Sequence, residues 1–424
     1  RNKNFLSLWL AQIFSQLADR VIFVVFVAVI ANNFGSSTSI QSWLYVSFTI
    51  PAICLTAIAG VFIDRCNKKV LLLTTNILRA LTISLLPFLD NHLHGIYVLA
   101  FLISSVTQFF VPAEASMMPT VVNKYQLMVA NSLFTTTMMA SIIFGFALGD
   151  PLINIFGLKS VYISIASMFI ISCIFLTFID YKPTNKENDP HKTLKEFIDE
   201  LKQGFIYTKN NPIVYNAIFK LAILFSVIVM LSILTIGLSQ QYLYPHNPAL
   251  GAQKFAYIIT SSGIGMVFGS FLVAKIFRNT HKYRLIFGSF FSIGICMLLL
   301  SVINFVPESK YYTFRGFDIW FVHLETFNLT LRMIYSYFVS GILGLSSAFV
   351  AIPVQTILQS SVQEDMRGKV FGLQFTLLST ASTMPVIIAA VTADFIGVLK
   401  MLGIIGICLV IFGSYNLLKL YRSK

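Results

Sequence analysis

Apolar segments of 18 or more residues recur along the whole chain, and this feature restricts the protein to very few folds. Each segment can cross about 30 Å of hydrocarbon at about 1.5 Å per residue. Because lipid offers no hydrogen-bond partners, a spanning segment must satisfy its own backbone groups, as a helix does. The sequence lacks the alternating segments of about 10 residues that are typical of membrane barrels. It therefore predicts an all-α, multi-pass integral membrane protein.

Composition and charge support this interpretation. Hydrophobic residues make up 56% of the chain and charged residues only 11%, against about 25% charged residues in soluble domains. The net charge is +13, but Lys and Arg concentrate in alternate loops, which is a signal of membrane topology. This distribution predicts that both termini are cytoplasmic and that the chain has no nucleic-acid partner. The five cysteines follow no disulfide or metal-ligand spacing, so no metal site is predicted.

The apolar segments predict twelve transmembrane helices in two pseudo-symmetric bundles of six. Residues 1–180 are predicted to form the N-terminal bundle, 181–212 a cytoplasmic linker, and 213–424 the C-terminal bundle. Similar sequences around Pro112 and Pro353 support the internal repeat. The predicted spans are 5–31, 40–63, 70–89, 96–119, 128–155, 158–180, 213–242, 253–278, 283–306, 334–361, 368–393 and 395–420.

Two connections are longer than the rest. The linker has apolar residues at helical spacing with charged residues between them, which predicts an amphipathic helix at the cytoplasmic surface. Its apolar stripe contains Leu194, Phe197, Ile198, Leu201 and Phe205. The loop 306–333 is predicted to be extracellular, and its many aromatic residues favour either an external cap or an interfacial helix.

Between the second and third spans, the stretch AGVFIDRCNKKVLLL places four charges in a short break between apolar runs. The basic residues would hold this loop inside the cell. Asp64, at the water boundary, could bond the start of another helix near Arg367. Such a contact could be made and broken, so we predict a conformational latch. Its loop residues are Gly60, Asp64, Arg65, Lys68 and Lys69.

This loop resembles the helix 2 to 3 signature of the major facilitator superfamily. The stretches FSQLADR, PAEASMMPTVV, LMVANSL and PVQTILQSSVQEDMRGKVFGL resemble its drug-efflux branch, which includes macrolide exporters. The resemblance implies a secondary active transporter that works by alternating access, with the first helix beside a central cavity. Lysophospholipid flippases share several of these features. Residues 145–150 keep two glycines of the antiporter signature but lack its proline, so the direction of transport stays open.

Two acidic residues are candidates for proton coupling. Asp19 lies near the middle of the first span, where a charge is costly and usually faces a cavity or a partner. A buried carboxylate can carry a proton, but Asp19 could instead form a static pair with Arg20, Arg79 or another base. Glu114 could be a second acid of the cavity or the structural partner of an arginine. Arg79 is predicted to be a structural ion-pair member.

Polar side chains in the spans are candidates for the substrate cavity. Asp19 shares one face of the first helix with glutamines at helical spacing. Amides in the tenth and eleventh spans could either contact substrate or join helices, and Gln374 belongs to this group. Lys220 is predicted to extend toward the cytoplasmic interface. The cavity candidates are Gln12, Gln16, Arg20, Gln355 and Gln359.

Together these features predict proton-coupled export of amphiphilic or drug-like small molecules. The alternatives are a lipid flippase and a transport-inactive receptor. The sequence contains no nucleotide-binding loop and no nucleophile beside a base, so neither an enzyme nor a cofactor is predicted. We predict a monomer in a bacterial-type inner or plasma membrane, in contact with membrane lipids, the substrate and protons.

Overall fold

The structure is a computed structural model that describes residues 2–35, 38–63, 66–122, 127–158, 160–181, 194–277, 281–307, 311–314, 318–319, 322–323, 327–363 and 366–422. Each of the twelve predicted spans overlaps a helix, although the span 70–89 is divided between two helices on either side of Leu85. The helices are α1 Lys3–Phe34, α2 Thr38–Ile63, α3 Lys68–Ser84, α4 Leu86–Leu89, α5 Leu93–Val121, α6 Leu127–Phe156, α7 Val161–Thr177, α8 Leu194–Asn210, α9 Pro212–Leu238, α10 Pro248–Lys254, α11 Ala256–Lys275, α12 Lys282–Ser301, α13 Leu331–Ser361, α14 Arg367–Ile396 and α15 Val398–Arg422.

The predicted all-α membrane fold is confirmed. Within the described residues, seven helical segments are long and apolar enough to cross a membrane, with a mean hydropathy of 1.6 to 2.7. Shorter apolar segments lie in α2, α6 and α7. Many large apolar side chains remain exposed on the outer helix faces, such as Phe395 and Phe338, where a lipid bilayer would cover them.

Local sequence explains where several helices begin. Asn side chains precede α1, α3, α9 and α10, and each accepts a hydrogen bond from a backbone N–H of the first turn. Thr330 does the same for α13. Such caps satisfy donors that have no partner inside the helix. Proline occupies the first position of α9 and α10, where its missing N–H costs nothing.

Helix α1 is at the centre of the molecule. It packs against α5, α6 and α7 from its own half of the chain and against α10 from the other half. The stretch Val24–Ile30 is buried throughout. One apolar cluster joins α1 to Ile233 and Ile236 of α9 and to Phe255. The two halves of the chain therefore meet along α1. A movement of one half relative to the other would change the contacts of this helix.

Close helix packing depends on glycine. The spacing of Gly145 with Gly149 and of Gly265 with Gly269 predicts packing between the two halves. Helices α6 and α11 do pack against each other across the halves, but the nearest neighbours of these four glycines lie in their own half. Gly145 and Gly149 bring α6 against α1, while Gly265 and Gly269 bring α11 against α13. Both contacts lie within one half. Spacing reveals that a close approach exists, but it does not identify the partner helix.

This packing gives a stability prediction. A Cβ at Gly265 would overlap the backbone carbonyl of Gly341, and overpacking costs about 1 to 3 kcal/mol. We expect Gly265→Ala to lower the thermal unfolding midpoint of the purified protein by several degrees. The matched control is Gly288→Ala in α12, where a Cβ meets nothing within 4 Å. Equal midpoints for the two variants would contradict the inferred α11–α13 contact.

The two long connections contain regular structure where they are described. The linker contains helix α8, as predicted; it lies against the start of α14, where Lys369 Nζ donates to Gln203 Oε1 at 2.6 Å. In the loop, β1 Tyr311–Phe314 pairs antiparallel with β4 Phe327–Thr330, and β2 Asp318–Ile319 with β3 Val322–His323. Between positions 311 and 330 the described residues of this loop therefore form strands rather than the alternative interfacial helix. Aromatic and β-branched residues in YYTF and FNLT favour strands.

Candidate functional site

A buried arginine organises the polar centre of the N-terminal half. Arg79 of α3 is completely buried. Its guanidinium carbon lies 4.2 Å from the ring centroid of Phe110 on α5 and 4.6 Å from that of Phe169 on α7. Aromatic faces attract a cation, and more strongly where water is excluded. The two rings therefore hold the guanidinium between α5 and α7, with its nitrogens directed toward α1.

Asp19 of α1 is the ionic partner of Arg79. Nη1 of Arg79 donates to Oδ1 and Oδ2 of Asp19 at 3.1 and 3.0 Å. Nη2 donates to Ser15 Oγ at 2.9 Å and to Asn76 Oδ1. The Asp19 side chain keeps 19% of its surface exposed, whereas that of Arg79 keeps none. The Asp19 carboxylate is therefore the accessible end of the pair. Of the possible partners Arg20, Arg79 and another base, the hydrogen-bonded one is Arg79.

A second layer of hydrogen bonds fixes the arginine. Asn76 Nδ2 donates to Ser172 Oγ at 2.9 Å, and Ser172 Oγ donates to the backbone carbonyl of Ala11 at 2.8 Å. This chain links α3, α7 and α1. Because the supporting groups are neutral, the charge state of the centre depends on Asp19, Arg79 and any neighbouring ionisable group.

Glu114 and Arg20 are such neighbours. Glu114 on α5 is buried, and its Oε1 has no hydrogen-bond partner within the described part of the chain. The charges of Arg79 and Asp19 act on it, so both proposed roles remain compatible with its position. Arg20 also acts electrostatically on Asp19. The Cβ and Cγ atoms of Arg20 lie against α6, at a position where Gly145 has no side chain.

The predicted cavity glutamines have different surroundings. Gln12 and Gln16 are buried on α1, and Gln12 Nε2 donates to the carbonyl of Phe134 on α6 at 3.4 Å. Gln355 accepts a hydrogen bond from Gln374 Nε2 at 3.1 Å, which joins α13 to α14. Gln359 is in α13, but its side chain lies outside the described residues. Gln355 therefore has a helix-joining contact, while a substrate contact stays a prediction for all four.

The predicted latch is described only in part. Gly60 lies in α2 and Arg367 begins α14, but Asp64, Arg65 and the Arg367 side chain are outside the described residues. Lys69 has a structural contact: its Nζ donates to the carbonyls of Thr177 and Ile179 at 2.8 and 2.6 Å. These carbonyls lie at the end of α7 and just beyond it, where a cation is favourable. The latch itself stays a prediction.

We expect Lys69→Met to destabilise the protein without changing proton coupling. Hydrogen bonds from charged groups contribute about 1.5 to 3 kcal/mol each, and this variant leaves the end of α7 without its donor. Thermal unfolding of the detergent-solubilised protein would measure the loss. Lys68→Met, which removes the adjacent charge, should unfold near the wild-type midpoint. A Lys69→Met variant of normal stability that transports slowly would instead assign Lys69 to the latch.

A second polar cluster, which no pattern in the sequence predicts, joins the two halves of the chain. Asp150 of α6 is almost completely buried. It accepts hydrogen bonds from Gln253 Nε2 at 2.6 Å, Lys254 Nζ at 2.7 Å and Tyr257 Oη at 2.6 Å. Gln253 Nε2 also lies 3.1 Å from Asn154 Oδ1. In the predicted topology this end of α6 faces outward, and with that orientation the contacts would close the outer side of the molecule.

The sequence does contain a signal for Asp150 alone. Asp150 follows an apolar run and precedes Pro151, and a carboxylate there needs a partner or water. Lys254 lies at the outer end of the eighth predicted span, 253–278. Only the packing of α6 against α10 and α11 brings these residues together.

Comparison with known proteins relates this chain to membrane transporters. The sequence matches the Major Facilitator Superfamily over residues 8–386. It is 26% identical over 418 residues to the MFS-type transporter YfiS of Bacillus subtilis (strain 168), covering 98% of this chain and 93% of that protein. It is 21% identical over 399 residues to macrolide efflux protein A of Streptococcus pyogenes, covering 93% and 90%. Its fold is similar to the crystal structure of the nucleoside transporter NupG, with a TM-score of 0.71, 10% identity, and coverage of 98% of each chain.

Proposed function

The chain belongs to the Major Facilitator Superfamily, and we propose that it exports amphiphilic or drug-like small molecules by alternating access, with protons as the coupling ion. It is a multi-pass transporter with a macrolide exporter among its relatives. The proposal of export and of an amphiphilic substrate follows from that relative. The proposal of proton coupling follows from the polar centre on α1.

The observation that carries the coupling proposal is the Asp19–Arg79 pair. A proton on Asp19 would remove its negative charge and weaken its contact with Arg79. Arg79 keeps its charge, since an arginine does not lose its proton in a protein. It could then interact with Glu114, which lies buried nearby. Protonation could thus rearrange the centre of α1, the helix that contacts both halves of the chain.

The Asp150 cluster supports the alternating-access part of the proposal. Its bonds connect α6 with α10 and α11, from opposite halves of the chain. An outward-open state would require these bonds to break and water to replace them. A transporter of this kind needs at least two arrangements of its halves with similar free energy. We propose that the cluster favours the outward-closed arrangement.

Flux measurements with the purified protein in proteoliposomes test this function. A pH gradient should drive uphill movement of at least one compound from a panel containing a macrolide, a cationic amphiphile and a lysophospholipid. Movement should stop when a protonophore collapses the gradient. Uphill flux that persists without a proton gradient would exclude proton coupling. Flux of the lysophospholipid alone would favour a flippase, and no flux of any compound would contradict export of this class.

A further inference from the structure

A cavity of about 520 Å³ opens between α9, α12 and α15. Its lining residues all belong to the C-terminal half of the chain, whereas Asp19 belongs to the N-terminal half. The cavity is lined by the first turns of α9 and α12 and the last turns of α15. These helix ends share one side of the molecule in the predicted topology, and Lys and Arg in the adjoining loops place that side in the cytoplasm. The cavity therefore lies at the predicted level of the inner leaflet headgroups.

A buried cation lines this cavity. Lys220 is only 8% exposed, and its Nζ donates to the carbonyl of Asn216 at 3.2 Å. The ammonium also lies 5.8 and 5.5 Å from the rings of Tyr283 and Phe287. No carboxylate of the described residues pairs with it. An ammonium has three donors, so Lys220 can bind an anion and would gain a counter-charge by doing so.

Further donors surround the same space. Lys419, in the last turn of α15, lines the cavity and is exposed. Asn216 and Asn416 each use one amide hydrogen on a backbone carbonyl of their own helix, which leaves a second hydrogen on each amide. Two ammonium groups and two amides form a set of donors suited to the oxygens of a phosphate.

The other side chains that line the cavity are largely apolar, which favours a lipid over a free anion as the ligand. Ile213 and Phe219 line the cavity and are about half exposed, as is neighbouring Leu418 on α15. Such side chains on outer helix faces meet hydrocarbon in a membrane protein. We propose that the cavity binds the phosphate headgroup of an anionic phospholipid from the inner leaflet, with its acyl chains along the exposed faces of α9 and α15. Basic pockets between transmembrane helices on the cytoplasmic side bind such headgroups.

Lipid-dependent thermal stability tests this site in the full-length protein. Phosphatidylglycerol added to the delipidated, detergent-solubilised protein should raise the unfolding midpoint in a saturable manner, whereas phosphatidylcholine should not. Lys419→Met, at an exposed position, should weaken the apparent affinity at least threefold, and Lys220→Met at least tenfold. Lys275→Met, which removes an exposed charge at the end of α11 outside the cavity, should respond as wild type does.

Three outcomes would overturn the proposal. Equal responses of wild type, Lys419→Met and Lys220→Met to phosphatidylglycerol would place the lipid elsewhere. An equal response to phosphatidylcholine would show that the headgroup charge is not recognised. Inorganic phosphate that stabilises the protein as strongly as the lipid would assign the cavity to a soluble anion. If Lys220→Met does not fold, the Lys419→Met comparison alone decides between these results.

Discussion

Asp19→Asn should abolish uphill transport driven by a pH gradient while leaving substrate binding within a few-fold of wild type. An amide cannot bind and release a proton as a carboxylate does, but it keeps the shape of Asp19 and can still accept a hydrogen bond from Arg79. We expect a loss of at least tenfold in pH-driven flux in proteoliposomes. Downhill exchange of the same compound should continue, because it needs no net proton movement.

Three control measurements separate coupling from structural damage. Asp180→Asn removes an exposed carboxylate of the same half and should transport as wild type does. Asp19→Glu restores a titratable group and should recover part of the uphill flux. Removing one partner of a buried ion pair can cost about 3 to 5 kcal/mol, so stability must be measured for each variant. Equal losses of uphill and downhill transport in Asp19→Asn would indicate a static pair, and wild-type uphill flux would direct attention to Glu114.

The sequence predicts the helices well because the physical signal is local. Apolar length defines the spans, and Asn67 and Asn211 mark helix starts through hydrogen bonds to residues three positions away or fewer. The polar face of α1 also follows from helical spacing alone. Ser15 and Asp19 contact the same neighbour, Arg79, because residues four apart share a helix face.

Pairing between helices was harder to predict, because it depends on packing. Arg20 is adjacent to Asp19 in sequence, yet the hydrogen-bonded partner is Arg79, 60 positions away. Adjacent residues on a helix point about 100° apart, so they face different neighbours. Phe110 and Phe169 could not be assigned to Arg79 by any pattern, since aromatic residues in apolar spans usually fill the core. The Asp150 contacts, which span more than 100 positions, were missed for the same reason.

Asp150→Asn should open the outer side of the molecule. This substitution leaves the Lys254 ammonium without its carboxylate in a largely buried site, and such a loss costs about 3 to 5 kcal/mol. Each 1.4 kcal/mol changes an equilibrium about tenfold. If the outward-open state exposes both groups to water, the cost applies only to the closed state. The open population should then rise at least tenfold, and turnover should fall because the outward-closed state is harder to reach.

An introduced cysteine can report this opening. In a background without the five native cysteines, Thr260→Cys replaces a side chain whose Oγ1 lies 3.4 Å from the carbonyl of Ile143, between α11 and α6. Ile143 is seven positions before Asp150, or about 10 Å deeper along α6. A membrane-impermeant maleimide added outside should label this cysteine at least tenfold faster in Asp150→Asn. Asp90→Asn, which removes another carboxylate at this end of the molecule, should not change the rate.

The double variant Asp150→Asn with Lys254→Gln distinguishes an ion-pair gate from a general loss of packing. If the closed state of Asp150→Asn is destabilised because the Lys254 ammonium has lost its contact with the Asp150 carboxylate, removing that ammonium should restore part of the closure. Labelling in the double variant should then be slower than in Asp150→Asn alone, because the two substitutions are not additive for groups in contact. Labelling that is faster still would mean that each side chain supports closure independently. Unchanged labelling in all variants would show that the cluster does not control access from outside.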